Sequence, residues 1–218
     1  VQMSALGASS TSRSQYARSK AAGEVAVRDA FGDATIVRPS VIFGPDANFY
    51  NQFAALARLL PFLPVFGCPF PALKNRAIDF FGDGGTKFQP VYVGDVAAAI
   101  VACLDNDAAA GQTYERGGPT VYSFKQLMEL VLSATDRRCL LLPIPFWVAY
   151  IETLFLELLP KPLLTRDQVT LLQTDNVLSG TAPTLLTLGI TPTAAELIVQ
   201  PYLDRFRRGG RFHDSLTV

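Results

Sequence analysis

Histidine and cysteine are scarce in this sequence, and their scarcity excludes several kinds of site. His213, close to the end of the chain, is the only histidine among 218 residues. The three cysteines, Cys68, Cys103 and Cys139, are far apart and form no Cys-x-x-Cys pair. A disulfide framework, a cysteine-based zinc site and a histidine metal cluster therefore lack their ligands, which favours a reducing compartment and no bound metal. A Ser-His-Asp hydrolase is disfavoured because its histidine would have to come from the tail.

An excess of charge of either sign is also absent. Nineteen basic and nineteen acidic residues cancel, which argues against nucleic-acid binding through phosphate contacts. No stretch of about twenty apolar residues is free of charge and proline, as a spanning helix requires. The nearest candidate, residues 140–159, contains two prolines and two glutamates. Hydrophobic residues still make up 49% of the chain and charged residues only 17%, so the sequence is that of a globular protein.

The first forty residues follow a strand, helix, strand pattern. Residues 1–6 resemble the end of a buried strand, and residues 14–31 have helical propensity with alanine and valine near one stripe. Residues 34–38 form a short apolar run rich in β-branched side chains, which Pro39 ends. This order is typical of a parallel sheet and predicts an α/β fold.

Helix-start signals dominate the later half of the chain. Three segments carry a Ser/Thr followed three residues later by Gln/Glu, the capping box of a helix N-terminus: Ser123 with Gln126, Thr165 with Gln168, and Thr193 with Glu196. Asp95 is the predicted N-cap of a further helix that runs to Leu104. Short strands are expected near residues 89–93, 112–115 and 139–142. Residues 111–218 are therefore predicted to be mostly helical.

Residues 61–86 follow neither the helical nor the strand period. The first part of this stretch is rich in proline, phenylalanine and glycine, which predicts a long irregular loop or an insertion. A partner-binding or membrane-facing loop is the alternative, because phenylalanines recur along it. They are Phe62, Phe66, Phe70, Phe80 and Phe81.

Tyr16 and Lys20 lie four residues apart on the first predicted helix, so both side chains project from one face. An ammonium near a phenol favours the phenolate and lowers the tyrosine pKa. Such a tyrosine can act as general acid or base for an alcohol/carbonyl couple, and the lysine can bind ribose hydroxyls. A surface tyrosine and lysine on a solvated helix have the same spacing, so the context decides between the two interpretations.

That context carries a resemblance. The Tyr16 and Lys20 helix directly follows a strand that ends at Ser4, and the next strand closes in Arg38 and a proline-led turn. This order resembles the short-chain dehydrogenase/reductase superfamily, in its extended or atypical branch. The resemblance implies a Rossmann-like parallel sheet whose turn offers backbone groups to the nicotinamide end of NAD(P). The implied cofactor-binding residues are Ser4, Tyr16, Lys20, Pro39, Ser40, Val41 and Ile42.

Residues 16–24, 88–93 and 164–169 narrow the resemblance further. Together they look most like the nucleotide-binding alpha-subcomplex accessory subunit of respiratory complex I (NADH:ubiquinone oxidoreductase) and its bacterial relatives. This resemblance implies a non-catalytic, NAD(P)H-binding role, with NADPH slightly favoured over NADH and complex I subunits as partners. It also implies peripheral, non-spanning association with the inner membrane, on the mitochondrial matrix side or the bacterial cytoplasmic side.

Two departures from the superfamily pattern matter. The Gly-rich turn that holds the pyrophosphate is absent, as is the residue that binds the adenine ribose. The chain is therefore expected to be the C-terminal part of a longer protein. Residues 1–60 would then be the remainder of the NAD(P)-binding Rossmann domain, to which residues 87–110 return. Residues 111–218 would form the helical C-terminal subdomain.

The second departure concerns the serine or threonine that, in active members of the superfamily, ends the strand before the tyrosine helix and polarises the substrate carbonyl. Ser4 is the candidate, but the following residues, Ala5 and Leu6, carry no hydroxyl. Three functions remain open. The favoured one is the accessory subunit, and the alternative is an active epimerase/dehydratase or reductase with Ser4, Tyr16 and Lys20 as its triad. A nucleotide-free scaffold is the third.

Overall fold

A computed structural model describes residues 1–69, 72–74, 77–158, 160, 162 and 164–208. His213 and Phe70 lie outside these residues. The strands are β1 (Gln2–Met3), β2 (Ile36–Pro39), β3 (Ile42–Phe43), β4 (Phe62–Phe66), β5 (Ala72–Lys74), β6 (Ala77–Asp79), β7 (Lys87–Phe88), β8 (Val91–Tyr92), β9 (Thr113–Arg116), β10 (Tyr122–Ser123) and β11 (Leu140–Ile144). The helices are α1 (Gln15–Ala30), α2 (Asn48–Leu59), α3 (Val93–Leu104), α4 (Phe124–Thr135), α5 (Phe146–Leu156), α6 (Arg166–Leu172) and α7 (Ala195–Leu203).

The largest sheet is parallel and has the strand order β1-β2-β9. Helix α1 connects β1 to β2, and α3 precedes β9, so both connections are crossovers of the kind that parallel strands require. Ile36 and Val37 are fully buried in the central strand, as expected for a strand covered on both faces. The predicted α/β fold is confirmed.

The expectation of an irregular loop over residues 61–86 does not hold for residues 62–66. They form β4, which pairs in parallel with β11 from Phe62 opposite Leu140 to Phe66 opposite Ile144. Leu63 and Val65 are fully buried. A strand buried in this way is a continuous apolar run without alternation, and the proline within it hides the strand signal further. The strands β5 and β6 form a short antiparallel pair within the same stretch.

Two of the three predicted capping boxes are confirmed. The Ser123 hydroxyl accepts a hydrogen bond from the Gln126 backbone, while the Gln126 side chain accepts one from the Ser123 backbone at 2.8 Å. Thr165 and Gln168 form the same reciprocal pair at the start of α6. Each box satisfies two backbone donors that a helix start leaves free.

The other two predicted helix starts are wrong. Helix α3 begins at Val93, which puts Asp95 inside its first turn, and α7 has Ala194 as its N-cap without a side-chain bond. The Asp95 carboxylate instead accepts hydrogen bonds from the Thr193 backbone at 2.7 Å and from the Thr193 hydroxyl at 2.9 Å. Asp95 and Thr193, which the sequence predicts as the N-caps of two different helices, therefore bind each other and join α3 to the segment before α7.

An aromatic cluster forms the centre of the main core. Phe124, at the first position of α4, is 1% exposed. Its ring has four phenylalanine neighbours with centroids 5.4–6.5 Å away, at angles of 66–90°. These edge-to-face contacts add to the burial of apolar area. The neighbours are Phe49 and Phe53 of α2, Phe66 of β4 and Phe88 of β7.

We expect Phe124→Ala to lower the free energy of unfolding by about 3–5 kcal/mol, because it leaves a cavity among packed rings. The matched control is Phe31→Ala, since the Phe31 side chain is largely exposed and its loss should change stability by less than about 0.5 kcal/mol. Urea unfolding of both variants measures the difference. Equal midpoints for the two variants would contradict the central role of the Phe124 ring.

Candidate functional site

A cavity with a volume of about 690 Å³ lies where β1 and β2 end. Ligands of open parallel sheets bind at this position, outside the carboxyl ends of the strands. Helices α1 and α2 and residues 168–176 complete its wall. The structure brings all seven sequence-predicted site residues to this one cavity: Ser4, Tyr16, Lys20, Pro39, Ser40, Val41 and Ile42.

Tyr16 and Lys20 project into the cavity from the first two turns of α1. The Lys20 ammonium lies over the Tyr16 ring, 5.5 Å from its centroid, a distance that permits a cation–π contact. Burial raises the pKa of the Tyr16 phenol. This direction is opposite to the one that the Tyr-x-x-x-Lys spacing predicts. The cause is desolvation of the phenolate, and the Lys20 ammonium, which lies over the ring, does not contribute to this shift.

Ser4 is buried at the end of β1, beside an ion pair that joins α1 to β2. Glu24 of α1 accepts hydrogen bonds from the Nε of Arg38 at 2.8 Å and from its Nη2 at 2.6 Å. The Glu24 side chain is 4% exposed and that of Arg38 27%. Burial favours the neutral acid, but Arg38 and the Ser4 hydroxyl outweigh it and lower the pKa of Glu24. By distance and angle, however, the Ser4 Oγ has no hydrogen-bond partner among the described residues, and Ser4 lines the cavity.

The proline-led turn supplies the opposite wall of the cavity. The Ser40 N–H donates to the Arg116 carbonyl at 2.8 Å, and the Pro39 carbonyl accepts from the Leu6 N–H at 2.9 Å. The Ser40 hydroxyl donates to the Asn176 side-chain oxygen. These groups already have partners within the protein, so this turn presents mainly the side chains of Val41 and Ile42 to the cavity.

Comparison with known proteins assigns this arrangement to a family. The sequence profile of the NAD dependent epimerase/dehydratase family matches residues 3–117, which include all seven of these residues. The chain belongs to this family. The match covers the parallel sheet, α1 and the turn after β2, and it ends just after β9.

Two curated relatives and one solved structure extend the comparison. The mitochondrial NADH dehydrogenase [ubiquinone] 1 alpha subcomplex subunit 9 of Arabidopsis thaliana is 35% identical over 220 residues, 96% of this chain and 51% of that protein. Its Mus musculus counterpart is 35% identical over 209 residues, 95% of this chain and 51% of that protein. The chain thus spans about half the length of these relatives.

The UDP-glucose 4-epimerase of Thermus thermophilus, solved in complex with NAD, superposes on the chain with a TM-score of 0.59. It is 20% identical, and the match covers 94% of this chain and 62% of the epimerase. At this level of identity the likeness extends to the fold, which is the Rossmann-like fold expected from the sequence.

Several cavity residues were not found from the sequence. Phe49 and Phe53 lie four residues apart on α2, a spacing that is detectable but does not distinguish a cavity wall from ordinary core. Asn176 has no local signal, because its partner Ser40 lies 136 residues earlier. No cluster of three or more metal-ligating side chains occurs among the residues that the structure describes.

Asp167 holds the N-terminus of α1 in this family member. Its carboxylate accepts hydrogen bonds from the Ser14 hydroxyl at 2.9 Å and from the Gln15 and Tyr16 backbone at 2.6 and 3.0 Å. Burial would raise the pKa of Asp167, but these bonds and the Arg18 charge lower it. Asp167 also lies in the first turn of α6. One carboxylate therefore stabilises two helix N-termini and fixes the backbone of Tyr16.

We expect Glu24→Gln to lower the free energy of unfolding at neutral pH by about 2–3 kcal/mol, less than for a fully buried pair because Arg38 is partly exposed. The folded-state pKa of Glu24 is lower than its ordinary value of 4.5. Ionised Glu24 therefore adds to the free energy of unfolding above pH 4.5, and this contribution is lost as the pH falls below 4.5 and through the folded-state pKa. The difference between wild type and variant should therefore shrink below that pH. Urea unfolding at several pH values measures it.

The matched control is Glu129→Gln, which breaks the exposed Lys125–Glu129 pair and should change stability by less than about 0.5 kcal/mol. If the difference in the free energy of unfolding between wild type and Glu24→Gln grew as the pH falls, it would contradict a stabilising Glu24–Arg38 ion pair.

We expect Asp167→Ala to lower the free energy of unfolding by about 1–2 kcal/mol, because the start of α1 loses its acceptor. Asp29→Ala is the control, since Asp29 is exposed at the far end of α1, where an acidic side chain is unfavourable to the helix dipole. Urea unfolding of both variants gives the comparison. An unchanged midpoint for Asp167→Ala would show that the cap is dispensable.

Proposed function

We propose that this chain is the nicotinamide-side part of an NAD(P)H-binding accessory subunit of respiratory complex I, in which the nucleotide has a structural role. The two relatives at 35% identity carry the name of such a subunit. The chain covers about half of each, so the remaining part of the binding site would come from sequence outside these 218 residues. NADP and NAD are both candidates for the ligand.

The end of β1 is the observation that carries the non-catalytic interpretation. Ala5 and Leu6 line the cavity next to Ser4 and offer no hydroxyl to a substrate carbonyl. The Ser4 hydroxyl is buried beside the Glu24 carboxylate and helps to lower its pKa, without a hydrogen bond of normal geometry to any described residue. Burial raises the pKa of the Tyr16 phenol, which disfavours the phenolate. A disfavoured phenolate weakens Tyr16 as a general base for alcohol oxidation, while its phenol can still donate a hydrogen bond to a bound nucleotide.

The cavity is suited to the nicotinamide half of a dinucleotide. Lys20 is half-buried in its wall, and no described carboxylate lies within salt-bridge distance of its ammonium. Such an ammonium can donate to ribose hydroxyls. Val41 and Ile42 present an apolar surface on which a planar ring can pack. When bound, a nicotinamide dinucleotide supplies hydride-transfer chemistry, which the accessory role leaves unused.

The proposed location is the inner membrane, on the matrix or the bacterial cytoplasmic side, with complex I subunits as partners. Both relatives are named as mitochondrial. None of the helices in the described part of the chain is long and apolar enough to cross a bilayer. Association would therefore be peripheral, through neighbouring subunits.

Lys20→Met tests nucleotide binding. In the intact protein this variant should bind NAD(P)H about tenfold to a hundredfold more weakly, because it loses charge-assisted hydrogen bonds. Lys87→Met is the matched control, since Lys87 is exposed and does not line the cavity. Nucleotide released by denaturation is measured by chromatography. Equal nucleotide content in wild type and Lys20→Met, or equal losses in both variants, would contradict the proposal.

An active NAD(P)-dependent epimerase/dehydratase or reductase is the second candidate, because Tyr16 and Lys20 share the cavity with Ser4. The two candidates differ in their response to Tyr16→Phe. For the accessory subunit, wild type shows no turnover with carbonyl substrates, co-migrates with complex I on native gels, and Tyr16→Phe keeps its nucleotide. For the enzyme, wild type turns over substrate and Tyr16→Phe loses at least about a hundredfold in rate.

A further inference from the structure

A second cavity, of about 410 Å³, adjoins the first one. Side chains of α2, β4, β11 and α5 line it. Four residues line both cavities, which therefore lie side by side: Gln52, Phe53, Phe66 and Leu164. The aromatic cluster around Phe124 lies behind this junction, because Phe53 and Phe66 both contact that ring. The volume is in the range of small-molecule sites, which are concave.

The chemistry of the second cavity is almost purely hydrocarbon. Ten of the twelve described residues that line it are phenylalanine, leucine, isoleucine or proline, and none of the twelve is lysine, arginine or histidine. Gln52 at the junction and Glu152 of α5 are the two polar members. Burial raises the pKa of Glu152, because its surroundings disfavour the carboxylate. A phosphate or carboxylate ligand would find no cation among these twelve residues to neutralise it.

We propose that the second cavity binds the linear hydrocarbon chain of a lipid that has an uncharged polar head, and that this head lies beside Gln52. The hydrocarbon chain of the lipid would fill the space between α2 and α5 and shield the apolar side chains there from water. The head would be at the junction, where the Gln52 amide can both donate and accept a hydrogen bond. This site is separate from the nucleotide site and does not depend on the accessory role.

The composition of the two cavities distinguishes this ligand from a sugar nucleotide. A diphosphate is normally bound by arginine, lysine or backbone N–H groups at a helix N-terminus. Lys20 is the only cationic residue that lines the first cavity among the described residues, and the second has none. A chain of methylene groups needs no such partner, because its binding free energy comes from the area that it buries.

The test is displacement of a neutral fluorescent probe, N-phenyl-1-naphthylamine, from the intact protein. The competitors are 1-octanol, 1-decanol and 1-dodecanol. Each added methylene should tighten binding about fourfold, so dodecanol should bind at least a hundredfold more tightly than octanol. Dodecanoate, which has a charged head, should compete at least tenfold less well than dodecanol. Equal affinities across the alcohols, or equal competition by the carboxylate, would overturn the proposal.

A matched pair of variants on α5 locates the binding site. Phe155 is 70% exposed and lines the cavity, whereas Leu154 is 55% exposed and does not. Phe155→Asp should weaken dodecanol binding at least tenfold, because it places a carboxylate at the opening. Leu154→Asp should leave binding unchanged. Equal losses in the two variants would overturn the assignment of the site.

A charge change at the junction tests the position of the head. Gln52 is exposed, so Gln52→Lys should fold, and it should improve competition by dodecanoate at least tenfold while leaving that of dodecanol within a factor of about three. No change with dodecanoate would place the head elsewhere and overturn this part of the proposal. Nucleotide content measured on Phe155→Asp should equal that of wild type, which separates failure here from failure of the proposed accessory role.

Discussion

The packing of Phe124 is the interaction on which both cavities depend. Its ring is held at the start of α4 by the capping box of Ser123 and Gln126, and by a backbone hydrogen bond to Thr86 at 2.8 Å. Rings from α2, β4 and β7 pack around it. Phe124 lines the cavity near Tyr16, and Phe53 and Phe66, which contact its ring, line both this cavity and the apolar cavity near Phe155.

Two carboxylates then orient α1 over the sheet. Asp167 accepts hydrogen bonds at the start of the helix, and Glu24 pairs with Arg38 of β2 nine residues after Gln15. With both ends of this stretch attached, Tyr16 and Lys20 have a defined direction towards the strand ends. The cost is electrostatic: the same burial that orders the site raises the Tyr16 pKa. The order of the helix start and the desolvation of the phenol thus both follow from the way α1 packs at the strand ends.

Local signals in the sequence were sufficient wherever the physical partners lie close together in the chain. The capping boxes at Ser123 and Thr165 are correct because their partners are three residues away. The Tyr16 and Lys20 pair was correctly placed on one helix face, since the helical repeat alone decides that. The cap expected at Thr193 failed because Asp95, 98 residues earlier, binds the same groups. The strand β4 was missed because its pairing with β11 depends on contacts that no local pattern records.

The sequence by itself determined the α/β class, the helix that carries Tyr16 and Lys20, and the family pattern from Ser4 to Ile42. These features follow from backbone propensity and from spacing along one element. Only the tertiary structure decided that Asp167 caps α1 from more than 150 residues away, that the Tyr16 pKa rises, and that a second apolar cavity adjoins the first. Burial, long-range hydrogen bonds and cavity shape arise when distant elements meet, so they have no expression in any single segment of the chain.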